Sequence, residues 1–238
     1  MTQPDPRSTP NKIAEAAMDR HRAIIQKTTV SHDYAYQSEQ LIEDSVVWLS
    51  QHCERILDIG QSSRQHARHF KSGQCETMDV NTGNNPPDII DDICAPSRLK
   101  KNDYDAIVCL SVLEHVYDPF AANQHIWDCL KPGGYLFLHL PFLFRYHAPS
   151  DLAFADGYRF SRDGMAWLLK DYSDVTLYSI RGPYSSIFNL HRFWKKRVEK
   201  HLGSGASRWV DRIGSILGGR PTSHLQVSGY CAFARKPL

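Results

Sequence analysis

The chain has 238 residues, enough for one substantial α/β domain and too few for a second of similar size. A hydrophobic fraction of 42% and a charged fraction of 23% are those of a folded globular protein, which excludes a largely disordered or fibrous chain. The formal net charge of +2 excludes little by itself, but it is unevenly spread: residues 188–220 carry eight Lys or Arg against Glu199 and Asp211, a local net of +6.

Residues 1–10 are rich in Pro, Ser and Thr and are expected to be disordered, with one domain over 11–238. No apolar export segment follows. The longest apolar stretch, Tyr135 to Phe144, is interrupted by His139 and Pro141 and is too short to span a bilayer. Six scattered cysteines without a CxxC pair (Cys53, Cys75, Cys94, Cys109, Cys129 and Cys231) point to a reducing cytoplasm.

A helix is expected from Lys12 to Lys27, and a second where Leu41, Ile42, Val46 and Leu49 share one face, with Ser38 as N-cap. Short apolar runs then alternate with helical patterns: RILDIG (55–60), CETMDV (75–80), DII (88–90), YDAIVCL (104–110) and GYLFLHL (134–140). That alternation predicts a parallel sheet with crossover helices. Asp118 and Pro119 open the helix before the last of these strands, and KPGG (131–134) is expected to end it. Ser161 starts another helix, and DVTLYSI (174–180) and VSGYCAFAR (227–235) are further strands. Between them two amphipathic helices are predicted, one with Leu190, Phe193, Trp194, Val198 and Leu202 on a face, the other with Trp209, Val210, Ile213, Ile216 and Leu217, hinged at GSG (203–205). This basic pair is expected to be a lid or a docking surface for an anionic acceptor or acidic lipid.

Asp58 and Gly60 end a buried strand where a glycine turn admits a ligand to the backbone, and Asp79 ends the next strand twenty-one residues later, a spacing suited to holding a ribose. With these residues the sequence resembles the class I methyltransferases, of the type 11 and 12 kind. Asp92 and Ile93 match the pair that flanks the adenine, and YDAIVCLSVLEHVYDP (104–119) matches the fourth strand and its turn, where Leu110 and Ser111 would line the methionine moiety. LKPGGYLFLHLP (130–141) matches the fifth strand. The resemblance implies S-adenosylmethionine as cofactor and a Rossmann-like α/β fold: a seven-stranded, mostly parallel sheet, helices on both faces, the last strand antiparallel beside the fifth. Ser62 and Arg64 occupy places where the family usually has glycine. The GxGxxG fingerprint of dinucleotide dehydrogenases is missing.

Methyl transfer needs a base only for a protonated acceptor such as a hydroxyl. His147 is the expected base; His115 and its neighbour Glu114, in the turn after the fourth strand, are further catalytic candidates. His147 belongs to an HxxPxD pattern of small methyltransferases with Pro149 and Asp151, and Tyr158 and Arg159 match its YRF element as substrate contacts. Arg159 has an alternative role, pairing with Asp151 or Asp156. His139, on a strand among apolar residues, is expected to be a satisfied core residue. Glu114 and His115 also resemble the end of the ExxEH metal motif of ubiquinone-pathway and small-RNA methyltransferases, but Ser111 replaces its first Glu, so no metal is expected. The expected activity is O-methylation of a small polar molecule or glycan intermediate. The alternatives are a non-catalytic S-adenosylmethionine-binding protein and a nucleic-acid methyltransferase, the latter without any recognised nucleic-acid module.

Overall fold

The computed structural model describes residues 8–33, 35, 37–81, 85–149, 153–190, 206–218 and 225–238. Along the chain run α1 (Ser8–Lys27), β1 (Thr29–Ser31), α2 (Ser38–His52), β2 (Ile56–Ile59), a 3₁₀ helix (Arg64–His69), β3 (Cys75–Asp79) and β4 (Ile89–Ile90). Then follow β5 (Tyr104–Leu110), α3 (Pro119–Cys129), β6 (Leu130–Pro141), α4 (Arg162–Leu168), β7 (Ser173–Ile180), α5 (Pro183–Leu190), α6 (Ala206–Gly218) and β8 (Gly229–Arg235). The eight strands form one sheet, ordered β1-β7-β8-β6-β5-β2-β3-β4. Every neighbouring pair is parallel except the two that β8 makes, with β6 and with β7.

The central strands β2, β5 and β6 alternate between two apolar faces, which is why most of their positions are apolar. Leu57, Ile59, Ile107 and Cys109 join one core with Ile126 of α3 and Met165 of α4, while Ile56, Ala106, Val108 and Phe137 join another with Leu41 and Leu49 of α2. Each large side chain removed from water in this way contributes ~1.5–3 kcal/mol. Asp118 caps α3 by accepting from the amides of Phe120 and Ala121, with Pro119 at the first helical position. Ser161 caps α4 by accepting from Gly164 N.

Four expectations need correction. The sheet has eight strands rather than seven: β1 is three residues long, without an apolar run, and exists because Thr29, Val30 and Ser31 find partners in Thr176, Leu177 and Tyr178 at the sheet edge. Ser8, Thr9 and Pro10, expected to be disordered, already belong to α1; residues 1–7 lie outside the described residues. Ser38 is the first residue of α2 rather than its cap, a position held by Gln37 without a side-chain bond. KPGG does not terminate α3: the helix stops at Cys129 and 131–134 lie in β6, whose pairing with β5 shifts register there. Of the two helices expected in the insertion, α6 is the second; of the first only Leu190 is described, as the last residue of α5, a helix the sequence reading did not foresee, while Phe193, Trp194, Val198, Leu202 and the GSG hinge lie outside the described residues.

Candidate active site

The chain leaves β2 toward β3 on one side, while β5 lies on the other, so the carboxyl ends of β2 and β5 flank a crevice at the point where strand order reverses. Gly60 turns away from β2 with φ +75°, and a Cβ there would collide with Val112 of the turn after β5. Asp58 is buried and fully committed: one carboxylate oxygen accepts from Ser62 N and Oγ, both at 2.9 Å, the other from Ser63 N at 3.0 Å and Oγ at 2.9 Å. Burial raises its pKa against the pull of these bonds. Ser62 Oγ also contacts the carbonyl of Ile59 at 3.1 Å and accepts from Leu110 N at 3.1 Å. The side chains of Asp58 and Ser62, expected to bind cofactor, are thus spent on shaping the loop and tying it to β5. What they present to a ligand is backbone.

Asp79 ends β3 half-buried, with Oδ1 accepting from Asn81 N at 2.9 Å and Oδ2 without a hydrogen-bond partner among the described residues. Asp92 is half-buried and accepts from Cys94 N, but Ile93 is only 4% exposed and belongs to the core, so it lines no open adenine site. Leu110 is buried; Ser111 stands exposed in the left-handed region, φ 57°, an unfavourable conformation for a residue with a Cβ. Its hydroxyl lies 2.7 Å from Nδ1 of His139, whose burial drives the pKa down to about 4; neutral and hydrogen-bonded, His139 is a satisfied strand residue. These groups fit an adenosyl cofactor: Asp79 has a carboxylate oxygen without a partner among the described residues for ribose hydroxyls, and the Gly60 and Ser111 turns leave the carboxyl ends of β2 and β5 on either side of the crevice.

On the same edge, the loops after β5 and β6 bring three expected catalytic residues together. Nε2 of His147 is 3.1 Å from Nε2 of His115; the buried Glu114 Oε1 is 3.7 Å from the latter ring and 3.9 Å from the former. Each ring has Nδ1 beside acceptors, His115 beside the carbonyl of Ala155, His147 beside Asp156 Oδ2 at 3.1 Å and the carbonyl of Arg145. Both Nδ1 atoms therefore carry hydrogen, and both Nε2 lone pairs turn inward. Neither oxygen of Glu114 has a hydrogen-bond partner among the described residues, and burial pushes its carboxyl up to about 7. Burial likewise lowers the pKa of His115. Lone pairs from three residues converging in a buried spot form a strong acceptor of one cation, whether a proton or a metal ion. Among the described residues this is the sole trio spaced to hold a metal.

Asp156 is the residue that sequence reasoning undervalued. Its side chain is fully buried and accepts from His147 N at 2.7 Å and from both terminal nitrogens of Arg159, at 2.5 and 2.7 Å. These bonds, Arg159 first, hold its carboxyl down at about 2. Arg159 also donates to the carbonyls of Phe144, Arg145 and Tyr158. With its fork committed, Arg159 positions Asp156 and His147 instead of contacting substrate as expected. The signal was the i,i+3 spacing within DGYR. Tyr158 is exposed, its hydroxyl donating to Tyr117 O at 3.0 Å. Arg64 reaches Asn85 O at 3.1 Å across the loop after β3. Ser150, Asp151 and Leu152 lie outside the described residues, so the Asp of the HxxPxD pattern is not placed.

Residues 14–177 match the family model described as a methyltransferase domain. Among solved structures, a SAM dependent methyltransferase from Archaeoglobus fulgidus is 12% identical, with 83% of this chain and 94% of that one covered at a TM-score of 0.50. The N-methyltransferase NodS from Bradyrhizobium japonicum, in complex with S-adenosyl-L-homocysteine, is 16% identical over 87% of this chain and 90% of that one, TM-score 0.46. The phosphoethanolamine N-methyltransferase 2 of Haemonchus contortus, in complex with S-adenosyl-L-methionine, is 16% identical over 78% of this chain, TM-score 0.47; the match spans about half, 49%, of that longer protein. The family match extends over more than half of the chain, from α1 into β7, and includes every loop of the crevice: the chain belongs to the methyltransferase domain family.

Proposed function

We propose that the protein methylates a hydroxyl of a small polar molecule or glycan intermediate, with His147 as the proton acceptor. Bound S-adenosylmethionine supplies a methyl group on a sulfonium whose leaving group is a neutral thioether. In the proposed step the acceptor oxygen forms its bond to the methyl carbon as the carbon–sulfur bond breaks, and the acceptor proton passes to Nε2 of His147. Asp156 holds the Nδ1 hydrogen of His147 and balances the imidazolium, the division of labour found in other acid–base dyads. Glu114 and His115 lie beside the same nitrogen and share the proton's charge. Holding the two reactants in line supplies much of the remaining acceleration.

The observation that carries this reading is the convergence of His147 Nε2, His115 Nε2 and the unpartnered Glu114 carboxyl on the edge that also bears Gly60 and Ser111. An amine acceptor attacks as its free base and has less need of such a proton sink. The test is S-adenosylhomocysteine release with a panel of polyols, sugars and amines, run with the parent and with His147→Ala. Hydroxyl acceptors turned over only by the parent support the proposal; turnover confined to amines and indifferent to His147 refutes it. A second reading places a divalent cation among the same three atoms, whose 3.1 to 3.9 Å separations suit a shared ion. Loss of activity on chelation, restored by one added metal, would establish it.

A further inference from the structure

The helices between β7 and β8 have their polarity turned inside out. Ser185 and Ser186 are fully buried, and Ser186 Oγ bonds to the carbonyl of Gly182 at 2.7 Å and to Ser228 Oγ at 3.0 Å. Asp211 of α6 is 7% exposed, and its carboxylate accepts from the amides of Gly182, Tyr184 and Ser185 at 3.2, 2.8 and 3.0 Å, capping α5 from another helix. Gly214 lies flat against the ring of Tyr184, where a Cβ would collide with it. Apolar side chains point the other way: Ile187 is 60% exposed, Leu190 44%, Trp209 55%, Ile213 52% and Ile216 75%. Trp209, Ile213 and Ile216, at i, i+4 and i+7, make one continuous stripe on α6. Hydrogen bonds to Asp211 fix this orientation; turning the stripe inward would take their shared acceptor from the amides of Gly182, Tyr184 and Ser185.

The stripe sits in a basic setting. Arg208 and Arg212 are exposed beside it, with the Arg212 guanidinium 5.7 Å from the Trp209 ring centre; the other six Lys and Arg of residues 188–220 lie outside the described residues. No helix of the described residues is long and apolar enough to cross a membrane. The position within the fold adds a third element. α5 begins just after β7 ends, at the carboxyl edge of the sheet, and the approach to β8 pairs with the start of the His147 loop through Phe142 N to Ser228 O at 2.8 Å and Leu143 N to Val227 O at 3.1 Å.

We propose that α5 and α6 dock the protein on the surface of an anionic lipid bilayer. The Ile187, Trp209, Ile213 and Ile216 side chains enter the boundary between headgroups and acyl chains, and the arginines meet lipid phosphate. Docking in this way turns the crevice edge toward the membrane. An exposed apolar stripe alone would equally suit a second copy of the chain, but two copies would bring Arg208 and Arg212 against their own counterparts, with Asp211 buried and unable to offset them, whereas an anionic bilayer complements both features at once. The docking is independent of the acceptor and of the role given to His147.

Sedimentation of the full chain with phosphatidylcholine vesicles, with and without phosphatidylglycerol, tests it. Binding is expected to the mixed vesicles and not to pure phosphatidylcholine, and to weaken at least several-fold on going from ~0.05 to ~0.5 M salt as screening shortens the reach of the arginines. Ile216→Glu, at an exposed position, should cut binding by roughly tenfold or more while S-adenosylhomocysteine affinity and circular dichroism stay unchanged. A second variant joining Trp209→Ser and Ile213→Ser should behave alike. Equal binding to both vesicle types, binding to neither, or a concentration-dependent dimer dissolved by Ile216→Glu in the absence of vesicle binding would each overturn the proposal.

Discussion

Replacing Glu114 with Gln isolates what the buried carboxyl costs the fold. Its pKa of about 7 lies above the ordinary 4.5, so between these values the native state keeps a proton that the unfolded chain has lost. Stability must therefore fall as pH rises through this window, by up to about 3 kcal/mol at 1.36 kcal/mol per unit, and the loss is complete above pH 7. Gln has the same shape and does not ionise. Because neither Glu114 oxygen has a hydrogen-bond partner, the amide forfeits no bond the carboxyl had. Glu114→Gln should match the parent near pH 4 and exceed it by up to about 3 kcal/mol at pH 8, seen as a melting temperature higher by roughly 6 to 12 °C. Urea denaturation from pH 4 to 8 in steps measures the difference directly. A difference that stays flat with pH, or a variant weaker than the parent at pH 8, would show that the carboxylate is already paired with a cation in the folded protein and would refute the assignment of an uncompensated acid. The same substitution should lower turnover, since the carboxylate balances charge arriving on His147.

Three further outcomes are expected. Asp79→Ala should weaken S-adenosylhomocysteine binding by about 1 to 3 kcal/mol in calorimetry, because ribose hydroxyls lose their acceptor; an unchanged dissociation constant would move the ribose elsewhere. His147→Ala should reduce turnover ~10²-fold or more while leaving cofactor affinity intact, and equal losses in both would make His147 structural. Prolonged chelation should leave activity in place if the trio holds a proton, so a metal-restored loss favours the ion reading.

The sheet was legible in sequence wherever the core dictated the pattern. β2, β5 and β6 are buried on both faces, and their predominantly apolar runs announce them. β1 escaped because an edge strand of three residues takes its form from a partner at Thr176–Tyr178, which no local window contains. KPGG resembled a helix stop because Gly and Pro signal a break, and the break is real; what the local pattern lacks is that β5 already waits alongside, so the chain enters its next strand at Leu130 without a loop. The apolar stripe of α6 was visible too, but periodicity reports that a face exists and not which way it points. Asp211 decides that, through amides about 26 to 29 residues upstream.

At the site the residue types could be seen but their division of roles could not. Asp58 and Ser62 stood at cofactor-binding positions, yet a buried carboxylate collecting four hydrogen bonds from Ser62 and Ser63 has no capacity left for a ligand. Here Ser62, at one of the glycine places, and its neighbour Ser63 close the loop by side-chain bonds, and Ser62 carries the closure across to Leu110. The His147 loop shows the converse. Of the two roles the sequence offered Arg159, substrate contact and pairing with Asp151 or Asp156, the second is the one seen: its fork is spent on Asp156, whose other work is to orient His147. Where the buried Glu114 carboxyl has no hydrogen-bond partner among the described residues, and the strained Ser111 lies just before it in the same turn, local consistency has been given up at a few adjacent residues. Such departures persist when the surrounding structure over-determines them, as Asp156, Arg159 and the Ala155 carbonyl do here. The unsatisfied acid and inward lone pairs are thus the part of this molecule that folding alone would not have kept.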